Sequence, residues 1–172
     1  MGVVPLTEAR YIAVAVVARP HGVAGELRLT VYNLDSDLLL GKPQLRLRFI
    51  DGTLRPLRMN AVRRVPGAML VRLESVTSRD AAEAMRGAIV EVPRSALGSP
   101  AAGEFFHCDL EGCDVYHGDL FGRVERVLSY PTCDALLIER PDGAKLEVPI
   151  TDAFVARIDV DDRRIELANL PE

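Results

Sequence analysis

The stretch GELRLTVY, residues 25–32, places apolar side chains at every second position between charged or polar ones. Successive side chains of an extended chain point to opposite faces, so this alternation predicts a β-strand with one buried and one solvated face. The stretch LRLRFI, residues 45–50, repeats the pattern and is followed by the turn dipeptide Asp51-Gly52. Residues 53–58 then return as the second arm of a hairpin.

The rest of the first half continues in short extended segments. Strands are predicted at residues 12–18, 60–65, 68–74 and 89–92. The run at 12–18 is apolar throughout, but seven residues are far fewer than the ~18 that span a bilayer. Because Glu8 and Arg10 precede it and Val dominates it, we interpret it as a buried strand rather than the core of a signal peptide. Many short strands favour a closed barrel, since closure removes exposed edges.

One helix interrupts the strands of the first half. Thr77 or Ser78 can cap it, Asp80 follows Thr77 at the spacing of a capping box, and Gly87 stands where a helix commonly ends. The residues between them include several strong helix formers. A short helix is therefore predicted over residues 78–86.

The stretch LGSPAAG, residues 97–103, has the composition of a linker between two domains. We predict a first domain at residues 1–97, a linker at 98–103 and a second domain at 104–172. In the second domain, strands are predicted at 113–117, 122–128, 135–139, 145–150 and 164–167, which indicates another small all-β barrel.

The charge of the chain reverses across this linker. Residues 1–98 carry 14 Lys and Arg against 9 Asp and Glu, a net charge of +5, whereas residues 99–172 carry 7 against 16, a net charge of −9. Such polarity is typical of a protein that contacts phosphate with one half and a basic protein with the other. Two solvated domains of unrelated charge remain an equal alternative.

The usual catalytic sequence motifs are missing from the chain. It contains no phosphate-binding Gly-x-x-x-x-Gly-Lys-Ser/Thr loop, no dinucleotide fingerprint and no nucleophile elbow. His107, Cys108, Cys113 and His117 are four potential zinc ligands within eleven residues, but their spacing matches no zinc knuckle or ribbon. Adjacent residues of a strand face opposite sides, so His107 and Cys108 are not expected to share an ion. We expect no metal and no cofactor.

Two segments are candidates for binding. Arg19, Pro20, His21, Gly22 and Gly25 lie between two predicted strands, where the glycines permit a tight loop that exposes Arg19 and His21. A purely structural hairpin loop is the alternative.

The second candidate segment opens the second domain with Glu104, Phe105, Phe106 and Asp109. In an extended chain the two rings point to opposite sides, so one can enter the core while the other contacts a partner. Packing of that ring against the first domain is an equal alternative.

These segments carry a resemblance to a known family. The ordered set of PHGVAGE (20–26), AAEAMRG (81–87), GEFFHCDLEG (103–112), GRV (122–124) and LEVPI (146–150) resembles the RimM family of ribosome maturation factors. Each motif is weak alone, but the ordered set is specific and extends from about Tyr11 to Pro171. The family usually has a Tyr-Tyr pair where this chain has Phe105-Phe106, so the apolar contact is kept without the hydroxyls.

The resemblance implies an N-terminal barrel akin to those of translation factors and a C-terminal PRC barrel. It implies an assembly role without catalysis: binding the immature small ribosomal subunit, promoting maturation of its 16S rRNA, and contacting ribosomal protein nineteen in the subunit head. Glu104, Phe105, Phe106 and Asp109 would contact that protein, and the loop from Arg19 to Gly25 would approach rRNA. We expect a cytoplasmic monomer that enters no membrane. A zinc-binding redox or regulatory protein and an enzyme built on two barrels are the other hypotheses.

Overall fold

The computed structural model describes residues 10–171 and divides into two compact units, one ending at Gly98 and the other beginning at Ser99. The first nine residues of the predicted first domain and the final residue, Glu172, lie outside the described residues. Strands make up nearly all the regular structure of both units, which confirms the all-β prediction. No helix within the described range is long and apolar enough to cross a membrane.

The first unit contains one seven-stranded sheet in which all neighbouring strands are antiparallel. The strands are ordered β4-β3-β7-β1-β2-β6-β5 across the sheet. Along the chain they are β1 (Tyr11–His21), β2 (Glu26–Val31), β3 (Leu45–Arg48), β4 (Leu54–Leu57), β5 (Met59–Val65), β6 (Ala68–Leu73) and β7 (Ile89–Pro93).

The alternation of the sequence places the core of this unit on one side of the sheet. Leu27, Leu29 and Val31 of β2 are buried and belong to a single apolar cluster to which all seven strands contribute. The intervening Glu26 and Arg28 face the other side. Burial of each such aliphatic side chain contributes about 1.5–3 kcal/mol to the stability of the fold relative to exposure. A shift of one residue would expose all of them, so the two-residue alternation determines which face of the strand is buried.

The predicted helix is present but shorter than expected. α1 (Arg79–Glu83) begins after Ser78, whose Oγ accepts a hydrogen bond from the N–H of Ala81 at 3.2 Å, so Ser78 rather than Thr77 is its cap. Residues 84–87 continue as turns, and Gly87 has a positive φ of 81° at the predicted end. The prediction of 78–86 is therefore too long at its C-terminal side.

The second unit contains α2 (His107–Leu110) and a six-stranded sheet ordered β11-β10-β9-β8-β13-β12. Only the pairing of β13 with β8 is parallel among the ladders of this sheet in the described residues. The strands are β8 (Asp114–His117), β9 (Asp119–Ser129), β10 (Asp134–Glu139), β11 (Lys145–Pro149), β12 (Val155–Asp159) and β13 (Arg164–Leu167).

The one short helix predicted for the first unit is present, but α2 in the second unit was not predicted. Phe106 stands at its N-cap position and provides no capping side-chain hydrogen bond, so the sequence carried no start signal there. β12 was also not predicted. A register irregularity between Val155 and Arg157 interrupts the alternation on which the prediction of strands depended.

Candidate functional site

The outer side of four strands in the first unit carries a cluster of arginines. Arg19 of β1 lies opposite Arg28 of β2, Arg28 lies opposite Leu70 of β6, and Leu70 lies opposite Arg63 of β5. Arg72 of β6 lies opposite Glu26. Residues directly opposite one another in a sheet share a face, so we define Arg19, Arg28, Arg63 and Arg72 as the basic face.

Leu70 shows how the basic face is built. This leucine is only 2% exposed, although it lies outside the core cluster of the unit and shares a row with Arg28 and Arg63. Arginine stems are apolar and commonly lie along such surface while their guanidinium groups remain in water. Leu70 therefore lies as an apolar residue between the side chains of Arg28 and Arg63.

Two of the four arginines are available for an external anion. Glu26 Oε2 lies 3.2 Å from Arg63 Nη2 and 3.9 Å from His21 Nε2, and Arg28 Nη2 donates to the carbonyl of Pro66 at 3.2 Å. The side chains of Arg19 and Arg72 form no hydrogen bond or ion pair within residues 10–171. Four guanidinium charges thus share this face with the carboxylate of Glu26, which leaves an excess of three positive charges.

The prediction that Arg19, Pro20 and His21 lie in a loop is wrong. In the structure these three residues continue β1. They pair with Arg28, Leu27 and Glu26, respectively, after a register irregularity between Val17 and Arg19. Arg19 and His21 are exposed as expected, but Pro20 is buried. The loop itself spans only residues 22–25.

Gly22 and Gly25 both have the positive φ expected of this loop, at 66° and 81°. Gly22 has open space around it, whereas a Cβ on Gly25 would lie 2.3 Å from the carbonyl oxygen of Val76. Arg79 Nη1 donates to the carbonyl of Gly22 at 3.2 Å, which ties the loop to the start of α1. The loop is consequently held in place beside the basic face.

The second candidate segment, residues 104–109, is extended only as far as Phe106. Phe105 packs against the core of the second unit, which is formed by Leu110, Cys113 and other apolar residues, whereas Phe106 is half-buried and is not part of that cluster. Glu104 is exposed. Asp109 lies within α2 and donates its backbone N–H to the carbonyl of Phe106 at 2.9 Å.

His107 fastens the start of α2 to the sheet. Its Nε2 lies 2.7 Å from Oδ2 of Asp134, which is the first residue of β10 and pairs with Ser129 across the β9–β10 hairpin. The hydrogen bond with His107 lowers the pKa of Asp134 below its usual value, against the opposing effect of burial. The segment carrying both rings is therefore attached next to the tip of this hairpin.

The four potential zinc ligands are divided among different elements of the second unit. His107 and Cys108 lie on α2 and not on a strand, Cys113 is fully buried with its Sγ 3.2 Å from the carbonyl of Asp109, and His117 is exposed at the end of β8. Within residues 10–171 no group of three or more His, Cys, Asp or Glu side chains is arranged to hold a metal ion.

Comparison with known proteins agrees with this architecture. The RimM N-terminal domain family matches residues 12–97, and the RimM PRC barrel domain family matches residues 107–172. The chain belongs to the RimM family. The resemblance seen in the sequence is confirmed, as is the PRC barrel predicted for the second half.

Full-length relatives extend the match over nearly the whole chain. The ribosome maturation factor RimM of Sorangium cellulosum is 51% identical over 165 residues, which cover 95% of this chain and 97% of that protein. RimM of Myxococcus xanthus is 38% identical, covering 90% of this chain and 84% of that protein. The solution structure of the N-terminal domain of RimM from Thermus thermophilus aligns at 22% identity with a TM-score of 0.43, covering 52% of this chain and 96% of that one.

Membership in the RimM family assigns the chain a role in ribosome maturation. Sequence reasoning selected Arg19 from the basic face but missed Arg28, Arg63 and Arg72. Arg28 and Arg72 each stand between two buried residues of a strand, so the alternation did contain the signal that they face outward. Their assembly into one face with Arg63 depends on the order β1-β2-β6-β5, which local periodicity does not specify.

Proposed function

We propose that this RimM family chain binds the immature small ribosomal subunit and promotes maturation and processing of its 16S rRNA as a cytoplasmic, monomeric assembly factor that catalyses no reaction. The observation that carries the proposal is the basic face, with Arg19 and Arg72 unpaired among the described residues, in a chain whose other unit is strongly acidic. Uncompensated surface guanidinium groups favour binding to a phosphate backbone, because neutralising phosphates releases condensed counterions.

The first unit is the part proposed to contact rRNA. Arg19 and His21 approach phosphates from the end of β1, while Pro20, Gly22 and Gly25 shape the turn that follows. Arg28, Arg63 and Arg72 extend the same surface over three further strands. Phosphate contacts of this kind position a protein on RNA and carry little sequence information, which suits a factor that recognises a folded subunit by shape.

The second unit is the part proposed to contact ribosomal protein nineteen of the subunit head. Phe106 supplies an apolar anchor, and Glu104 and Asp109 supply negative charge beside it. A net charge of −9 over residues 99–172 complements a basic ribosomal protein. Phe105 packs against the core of the second unit and thereby attaches the segment to it.

Binding of purified ribosomal protein nineteen to single-residue variants tests this assignment. Phe106→Ala should mainly weaken binding, by more than tenfold, because buried aromatic anchors contribute about 2 kcal/mol or more to an interface. Phe105→Ala should mainly lower the melting temperature. Phe154→Ala is the matched control, since Phe154 also packs against the core of the second unit but lies outside the proposed segment.

The pattern of the three variants decides the assignment. Weaker binding confined to Phe106→Ala supports a partner surface at residues 104–109. If Phe105→Ala and Phe106→Ala both lower stability and the folded fraction of each binds like the wild type, the segment is structural and the partner surface lies elsewhere.

A further inference from the structure

An arginine held between a tyrosine ring and a glutamate occurs in the first unit. The guanidinium carbon of Arg46 lies 3.7 Å from the centroid of the Tyr11 ring, and its Nε lies 2.7 Å from Oε2 of Glu91. The planar guanidinium group thus stacks on an aromatic face while donating to a carboxylate. Both interactions favour arginine over lysine, whose compact ammonium group cannot stack in this way.

The second unit contains the same arrangement. The guanidinium carbon of Arg164 lies 3.6 Å from the centroid of the Tyr116 ring, and its Nε lies 3.1 Å from Oε1 of Glu166. Two of the four tyrosines of the chain therefore hold an arginine together with a glutamate.

A third tyrosine has the glutamate but not the arginine. Tyr130 donates its hydroxyl hydrogen bond to Oε2 of Glu147 at 2.8 Å, and 46% of the residue is exposed. This hydrogen bond also raises the pKa of Tyr130 above its usual value, so the phenol stays neutral near pH 7. No arginine of the described residues stacks on this ring.

Arg126 lies on the same face of the sheet as Glu147 but does not pair with it. Leu137 of β10 lies opposite Arg126 of β9 on one side and opposite Glu147 of β11 on the other. Arg126 and Glu147 are therefore two strand spacings apart, about 10 Å, on the same face of the sheet. The charge of Arg126 acts to lower the pKa of Tyr130, against the larger effect of the Glu147 hydrogen bond, but Arg126 forms no ion pair with Glu147 in the described residues.

We propose that Tyr130 and Glu147 form a receptor for an arginine side chain of a basic protein partner. The guanidinium group would stack on the exposed ring and pair with Glu147, as Arg46 and Arg164 each stack on a tyrosine and pair with a glutamate. Tyr130 differs from those two tyrosines in that its own hydroxyl also donates to the glutamate. This inference rests on the proposed function, because it assumes that the second unit contacts a basic ribosomal protein. It adds a site at which that partner is recognised by arginine and not simply by positive charge.

The receptor lies on the hairpin to which the segment carrying Phe106 is attached. Tyr130 follows Ser129, which pairs with Asp134 at the tip of the β9–β10 hairpin, and Asp134 holds His107 of α2 at 2.7 Å. Phe106 directly precedes His107. Asp134 and Leu137 are three positions apart on β10, so Glu147, which lies opposite Leu137, is on the other face of the sheet from Asp134. The receptor is therefore a second contact point near the same hairpin and not a continuation of the surface at Phe106.

Titration of the full-length protein with two peptides of equal length and charge tests the receptor directly. One peptide is arginine-rich, and the other has every arginine replaced by lysine. The arginine peptide should bind about two- to fivefold more tightly and shift the Tyr130 ring signals in NMR spectra, since an exposed cation–π contact contributes about 0.5–1 kcal/mol. Tyr130→Leu should lower its affinity to that of the lysine peptide, whereas Tyr130→Phe should retain most of the preference.

Tyr32→Leu is the matched control, because Tyr32 is also exposed but lies in the first unit. Equal binding of the two peptides, or unchanged affinity in Tyr130→Leu, overturns the receptor. Precursor small subunits supply the second measurement: wild-type binding that Tyr130→Leu and Glu147→Gln leave unchanged overturns the inference while the proposed function stands. If wild-type protein does not bind precursor subunits, the proposed function fails, and the peptide preference alone decides whether the receptor exists.

Discussion

The carbonyl oxygen of Val76 lies 2.3 Å from the position that a Cβ on Gly25 would occupy, so the loop after β1 closes only because residue 25 has no side chain. The φ of Gly25, 81°, adds a second reason, since side chains disfavour this backbone conformation. The close approach of the backbone at Val76 thus explains why a glycine stands at position 25 of the PHGVAGE motif.

Gly25→Ala should lower the free energy of unfolding by about 2–4 kcal/mol, which combines overpacking against backbone with the cost of a positive φ. Gly22→Ala is the matched control, because Gly22 has a φ of 66° but open space around it, so we expect only about 1 kcal/mol. Urea unfolding measures both. Equal losses in the two variants would show that the contact with Val76 relaxes at no cost.

Glu91→Gln should destabilise the first unit at neutral pH. Glu91 is nearly buried, with its side chain 7% exposed, and lies 2.7 Å from both Arg46 and Arg48. Removing one partner of a fully buried pair costs about 3–5 kcal/mol, but both arginines reach water, so we expect about 1–3 kcal/mol. Glu83→Gln, which removes an exposed pair with Arg86, should cost less than about 0.5 kcal/mol.

The effect of Glu91→Gln should also depend on pH. Burial raises the pKa of Glu91, but the hydrogen bonds from Arg48 and Arg46 outweigh it and hold the pKa below the usual value. A lowered pKa contributes stability that is present above the unfolded value of about 4.3 and is lost as pH falls through the folded value. The difference between wild type and variant should therefore shrink below about pH 4. A difference that stays constant from pH 7 to pH 2 contradicts a role for the charge.

Arg19→Gln combined with Arg72→Gln should weaken binding to precursor small subunits and flatten its salt dependence. Each phosphate contact contributes about 0.7–0.9 to the slope of log affinity against log salt, so losing two contacts should reduce the magnitude of the slope by about 1.4–1.8. Neither arginine is paired within the described residues, so stability should be unchanged. Arg157→Gln in the second unit is the control. An unchanged slope in the double variant removes the basic face from the rRNA interface.

Limited proteolysis should cut first within residues 98–103, where five of the six residues are exposed between the two compact units. Exposed loops with small residues are the usual sites of nicking, and each unit has its own apolar cluster. Two fragments that retain circular dichroism and cooperative unfolding are expected. A first cut elsewhere, or two unfolded fragments, would contradict independent domains with a boundary at this linker.

The sequence predicted strands well wherever one face is buried. In residues 25–32 and 68–74 the alternation reports burial directly, because a shift of one residue would expose the whole apolar set. The sequence did not predict that β1 continues to His21, beyond the register irregularity between Val17 and Arg19. It also did not predict α2, because that helix begins without a capping side chain.

The candidate sites were less predictable than the strands. Arg28 and Arg72 face outward by simple alternation, yet only the strand order places them in one surface with Arg19 and Arg63. The link from His107 to Asp134 joins residues 27 positions apart, and the pair of Tyr130 with Glu147 joins residues 17 apart. Contacts of this range follow from tertiary pairing, which local sequence patterns do not encode.

Sedimentation of cell extract through a sucrose gradient tests the central claim most directly. The protein, followed by immunoblot, should travel with small subunits that contain unprocessed 16S rRNA and be absent from mature small subunits and from assembled ribosomes. The variant with Arg19→Gln, Arg72→Gln and Phe106→Ala should remain at the top of the gradient. Equal association of the wild type with mature and precursor subunits, or none with either, would contradict a role as an assembly factor for the small subunit.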